Sequence, residues 1–123
     1  MAVGDPIPRD RLIYRAIRSK QLNTDKTINE IAFLLTPAHH DYPDETYLSF
    51  GVDAAGAMAG LQNIRYVAEV RVADILALGL TVVEDQDPQK VQVAGMPLVR
   101  DDETRAMGFA KDLRNKSKLL PTQ

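Results

Sequence analysis

The sequence predicts an α+β fold: one compact domain with a mostly antiparallel sheet, two or three helices, and a C-terminal helix over about residues 102–118. Three observations carry that expectation. Ile64-Arg65-Tyr66-Val67-Ala68-Glu69-Val70-Arg71-Val72 alternates apolar and polar residues with period two, as a strand does. Thr81-Val82-Val83 and Val91-Gln92-Val93-Ala94-Gly95 flank a polar turn, Glu84 to Gln89, as hairpin partners do. Finally, strand and helix patterns follow one another without a regular βαβ alternation, which points away from a parallel sheet.

Taken in order, residues 1–10 contain Gly4, Pro6 and Pro8 and read as an N-terminal arm, leaving 11–123 as the domain. Leu12-Ile13-Tyr14-Arg15-Ala16-Ile17 is a strand by its β-branched and aromatic content. Period two then puts Arg15 on the face of Ile13 and Ile17. An inward guanidinium must meet a carboxylate or an anionic ligand, because an unpaired buried charge is too costly. Ile28, Ile31, Leu34 and Leu35 fit a helical spacing, whereas Ile31 to Leu35 equally fits a buried strand; Pro37 ends the element in either case. Thr46 to Phe50 is a strand, Gly51-Val52-Asp53 breaks it, and Asp53 caps a small-residue helix from Ala54 to about Gln62. On Ile64 to Val72 the even positions form the buried face. Ala73 to Leu78 is a short helix stopped by Gly79 in the left-handed region. Asp101 or Asp102 caps the last helix, whose Ala106, Phe109, Ala110 and Leu113 share a face.

Composition narrows the function classes. At 123 residues and 45% hydrophobic the chain can build a core without staples, and zero cysteines exclude disulfides, thiolate nucleophiles and sulfur-rich metal sites. MAVGDPIPRD lacks a signal-peptide core, and no apolar run approaches the roughly 18 residues of a membrane span. A cytoplasmic, soluble protein without a membrane partner is the expectation. The net charge of −2 hides two basic runs, Arg9, Arg11, Arg15, Arg18 and Lys20 near the start and Lys111, Arg114, Lys116 and Lys118 near the end. Were the termini to meet, these would form one basic patch for a polyanion such as RNA, although 6% aromatic content supplies little stacking.

Few motifs advertise chemistry. His39 and His40 sit side by side with Asp41, Asp44 and Glu45, which makes either histidine a candidate for acid/base work. Adjacent histidines point apart in regular structure and no metal-binding spacing is present, so no metal is expected, and a connector between Pro37 and Pro43 is the plainer reading. Gly51, Gly56 and Gly60 match no phosphate-loop pattern and suit a helix packed closely on the sheet. Ser49, in YLSFG, lacks the nucleophile-elbow context.

Leu12-Ile13-Tyr14-Arg15, the serine strand Tyr47-Leu48-Ser49, and Val70 to Leu80 leading into a hairpin together resemble the ADP-ribosyltransferase-like superfamily. That resemblance implies a small split antiparallel sheet that binds NAD, with Arg15 and Ser49 as cofactor contacts. A late glutamate would orient the nicotinamide ribose; Glu84 matches by position only, and Glu103 falls at a helix start. Three readings of function follow. The first is a non-catalytic module that binds a ligand, a protein partner or a second copy of itself, with no cofactor. A small NAD- or nucleotide-using transferase of toxin or defence type is the second, and an RNA-binding domain the third.

Overall fold

The computed structural model describes residues 4–122. Six strands form: β1 Leu12–Ile17, β2 Tyr47–Gly51, β3 Tyr66–Arg71, β4 Thr81–Glu84, β5 Lys90–Ala94 and β6 Lys118–Pro121. They make one antiparallel sheet in the order β4-β5-β2-β1-β3-β6. The helices are α1 Ala54–Met58, α2 Val72–Leu76 and α3 Glu103–Lys116. The α+β class and the C-terminal helix are thus as the sequence predicts. Among the described residues no helix is long and apolar enough to cross a membrane.

One face of the sheet carries the main core. Ile13 and Ile17 of β1, Leu48 and Phe50 of β2, Ala68 and Val70 of β3, and Val91 and Val93 of β5 meet Ala110 and Leu113 of α3 there. Each large apolar side chain so buried contributes about 1.5–3 kcal/mol. The segment from Ile28 to Leu35 closes this layer, and it is neither a regular helix nor a strand. Asn29 caps a 3₁₀ turn, Glu30–Phe33, by accepting a hydrogen bond from the Ile31 N–H, and Leu34 is already extended. Ala32 and Phe33 turn inward, with the Phe33 ring stacked on Phe50 at 6.3 Å between centroids, while Ile31 is left facing out. Periodicity could not choose between helix and strand because the segment follows the shape of the core beneath it.

Other boundaries moved for local reasons. Gly51 does not break β2 but ends it, paired with Tyr14 and Lys90. Asp53 caps α1 as expected, accepting from the Gly56 N–H at 2.7 Å, yet the helix stops at Met58 because Ala59 leaves the helical region and Gly60 follows at φ +79°. On β3 the expected face is buried at Ala68 and Val70, but Val67 is buried too, on the opposite face beside its cross-strand neighbours Ala16 and Leu120. Glu84 belongs to β4 and not to the turn. The sixth strand was not expected at all. Ser117 ends α3, its hydroxyl donating to the Arg114 carbonyl, and Lys118–Pro121 then pairs with β3 as an edge strand, where a proline costs no needed donor. At the other edge the arm runs along β4, with Gly4 N donating to Glu84 O, Glu84 N to Asp5 O and Ile7 N to Val82 O. That covers an edge otherwise open to pairing with another chain. The first three residues of the arm lie outside the described residues.

The sheet is weakly closed at its middle. β1 and β3 share six register pairs, whereas β1 and β2 share one, Tyr14 with Gly51. α1 lies across that junction on the face opposite the core, and it can do so only because Gly51 has no side chain: a Cβ there would stand 2.1 Å from the Ala57 nitrogen.

Two glycines therefore behave oppositely. Gly51→Ala loses at least about 3 kcal/mol, since overpacking here meets backbone and cannot be relieved by a rotamer. Gly108→Ala, on the exposed side of α3 with open space around it, gains about 0.5–1 kcal/mol. Urea unfolding of the two variants checks both signs.

A second prediction concerns acid. Glu30 accepts from the Arg114 guanidinium at 2.9 Å, tying the 3₁₀ turn to α3. Its own backbone N–H first, and then Arg114 and Lys111, hold its carboxyl below the usual glutamate range. A depressed folded pKa gives stability that is present above the unfolded value near 4.3 and is lost as pH falls through the folded one. Between pH 6 and 3 the Glu30→Gln variant accordingly loses less stability than the parent, as thermal unfolding across that range measures.

Candidate functional site

The functional candidate with the clearest geometry begins at Arg15. Strand alternation sends its side chain to the core face, beside Ile13 and Ile17, and the parting of β1 from β2 leaves room for it there. Its Nε donates to the Ala32 carbonyl at 2.6 Å and its Nη1 to the Ser49 carbonyl at 2.8 Å. The guanidinium also stands 5.8 Å from the Phe50 ring centroid, within cation–π range. It thus bridges the gap where ladder hydrogen bonds between the two strands are missing.

Its electrostatic position is unusual. Burial pushes the Arg15 pKa down to about 10; Glu45 acts in the opposite direction and Arg18 adds to the depression. The group stays protonated at neutral pH. Among the described residues no carboxylate forms an ion pair with it, and Glu45 Oε1 instead accepts from the Thr36 N–H at 2.7 Å. Of the five N–H donors of a guanidinium, the two bonds to carbonyls occupy Nε and one position on Nη1. Among the described residues no fully buried polar side-chain atom lacks a partner, so the Nη2 end reaches the cavity beside it.

That cavity, about 340 Å³, is lined by both Arg15 and Ser49. Arg18, Lys20 and Lys90 add three more cations, and Glu45 is the single carboxylate. Ala57 and Ala59, from α1 and the residue that ends it, form part of the wall with Leu61. Four positive groups against one negative around one slot concentrate a field that favours an anion.

The other sequence candidates lie elsewhere. His39 and His40 are exposed on a tight loop in which His39 and Tyr42 exchange two backbone hydrogen bonds; their rings are 3.9 Å apart and neither lines the slot. Two carboxylates of that loop are otherwise engaged, Asp44 by the Ala38 N–H and Arg100 and Glu45 by the Thr36 N–H. Among the described residues no three His, Cys, Asp or Glu side chains gather to hold a metal. Glu84 is buried in β4, separated from β2 by β5 and outside the slot. Tyr14 faces away from Arg15 and donates to Glu69 at 3.0 Å. Of the basic runs, Arg15, Arg18 and Lys20 serve the slot, whereas Arg114 and Lys111 act on Glu30.

Sequence reasoning paired Arg15 with Ser49 and missed Lys90 and Glu45. Lys90 carries no motif; it reaches the slot because β5 pairs it with Gly51. Glu45 was visible only as part of an acidic loop. Comparison with known proteins adds no relative: no family model, curated protein or solved structure matches the chain.

Substituting the bridge tests its structural half. Arg15→Lys keeps a charge but cannot reach two carbonyls with a planar fork, so stability falls by about 2 kcal/mol in chemical denaturation.

Proposed function

We propose that the protein is a binding module for a small phosphate-bearing ligand, held in the slot between β1 and β2. The observation that carries this reading is Arg15, a charged guanidinium inside the fold with no carboxylate bonded to it and three further cations sharing its cavity. A charge left in that state is costly unless an anion completes it, and planar Nη donors suit phosphate oxygens. Lys20 and Arg18 are exposed at the slot and free to follow the ligand, while Arg15 is fixed. A fixed donor needs no reorganisation on binding.

A second reading, an NAD-using transferase of the ADP-ribosyltransferase-like type, is favoured by one specific observation. Arg15 and Ser49, the two residues that the resemblance implies as cofactor contacts, line the same cavity, and Glu45 supplies a carboxylate there. In that reading Arg15 holds the dinucleotide phosphates and Glu45, not Glu84, is the acid within reach. Release of nicotinamide from NAD that disappears in Glu45→Gln separates a transferase from a binding module.

Inorganic pyrophosphate at millimolar concentration raises the midpoint of thermal unfolding, as any ligand of the native state does. Arg18→Ala and Lys90→Ala, which leave the Arg15 bridge in place, each weaken the apparent affinity about threefold to tenfold. Removing the opposing charge in Glu45→Gln strengthens it. Absence of any shift with pyrophosphate, NAD or ADP-ribose would sink the phosphate reading.

A further inference from the structure

The slot does not end at Lys20. Lys20, Gln21 and Thr36 also line a second cavity of about 560 Å³, between the segment after the 3₁₀ turn and the approach to α3. Its walls are aliphatic: Ile31, Leu34, Leu35, Pro37, Leu98 and Val99. Arg100 stands at its rim, but its charge is already answered by Asp44, so the groove makes little polar demand of an occupant. Among the described residues, two of the four exposed large apolar side chains border these adjoining cavities, Ile31 at 43% in the groove and Leu61 at 37% in the slot. Ile31 is out because the 3₁₀ turn commits Ala32 and Phe33 to the core.

We infer that the ligand is an amphiphilic organic phosphate, with its phosphate in the Arg15 slot and an aliphatic chain lying in the groove. This rests on the phosphate reading of the slot and adds what the rest of the ligand must be. The two cavities meet at a lysine, so a phosphate bound beside Lys20 places its substituent at the groove's mouth. Neither cavity is lined by an aromatic ring, and the groove offers Gln21 and Thr36 as its only uncharged polar side chains. Bases are recognised by stacking on rings and by hydrogen bonds to their edges, both scarce here. A flexible chain needs only apolar area, which the groove provides, and the volume falls within the usual range for small-molecule sites.

The test is a calorimetric series on the full chain with inorganic phosphate and methyl, butyl and octyl phosphate. Affinity is expected to rise about threefold to fourfold for each methylene that enters the groove. Ile31→Asn, a neutral polar change at an exposed position that folding does not use, should flatten the series while leaving inorganic phosphate binding unchanged. Inorganic phosphate that binds with no dependence on chain length overturns this inference and leaves the slot reading standing. A chain-length dependence that survives Ile31→Asn overturns it as well. So does adenosine monophosphate binding more tightly than octyl phosphate and losing that advantage in Ile31→Asn, which would make the groove a base site. If neither inorganic phosphate nor pyrophosphate binds, the slot reading itself has failed.

Discussion

The pair of hydrogen bonds from Arg15 to the carbonyls of Ala32 and Ser49 is the interaction on which the rest of the structure depends. β1 and β2 are neighbours in the sheet and yet share a single register pair, so the middle of the sheet would be open without a substitute for the missing ladder. The guanidinium is that substitute. It reaches across to β2 and upward to the 3₁₀ turn, joining the sheet to the segment that covers its core. A neutral side chain of the same length could fill the space, but none presents donors in three directions from one rigid plane.

The same arrangement creates the cavity. A strand pair that parts after one rung leaves a slot, and the residues that stop it from collapsing are those that hold its walls apart. α1 is held against the opposite face by the absence of a side chain at Gly51, and Gly56 lets it approach the Gln89 carbonyl. Glu45 is fixed by its N–H donating to the Thr36 carbonyl and its carboxylate accepting from the Thr36 N–H, and it moderates the Arg15 charge without neutralising it. Fold stability and anion affinity therefore draw on one group. That explains why the exposed cations at the rim, and not Arg15, are the positions at which binding can be altered with the fold left intact.

Much of this was legible in the sequence, though unevenly. Arg15 was conspicuous because an arginine at an inward strand position demands a partner, and the demand could be stated before the partner was known. Ser49 was singled out by the family resemblance and not by alternation, which turns it away from Leu48 and Phe50; it lines the same cavity as Arg15. Lys90 was not legible, since its place depends on the β2–β5 register and registers between distant strands leave no local mark. β6 was missed because Lys118–Pro121 is short, ends in proline and gains its order from pairing with β3. The segment from Ile28 to Leu35 defeated periodicity for a similar reason: its inward residues answer to the packing of Phe33 on Phe50 and not to a repeating backbone. The histidine doublet drew attention through composition alone, and its exposure on a self-bonded loop removes it from the slot.

The most direct test of the dual role of Arg15 is nitrogen-15 NMR of its guanidinium, with and without pyrophosphate. In the free protein the Arg15 Nε–H should exchange with water far more slowly than those of exposed arginines, reflecting its bond to Ala32. On titration the Nη resonances should shift and sharpen while the Nε–H stays protected. An Arg15 Nε–H that exchanges as fast as a surface arginine and does not respond to the anion would contradict the account.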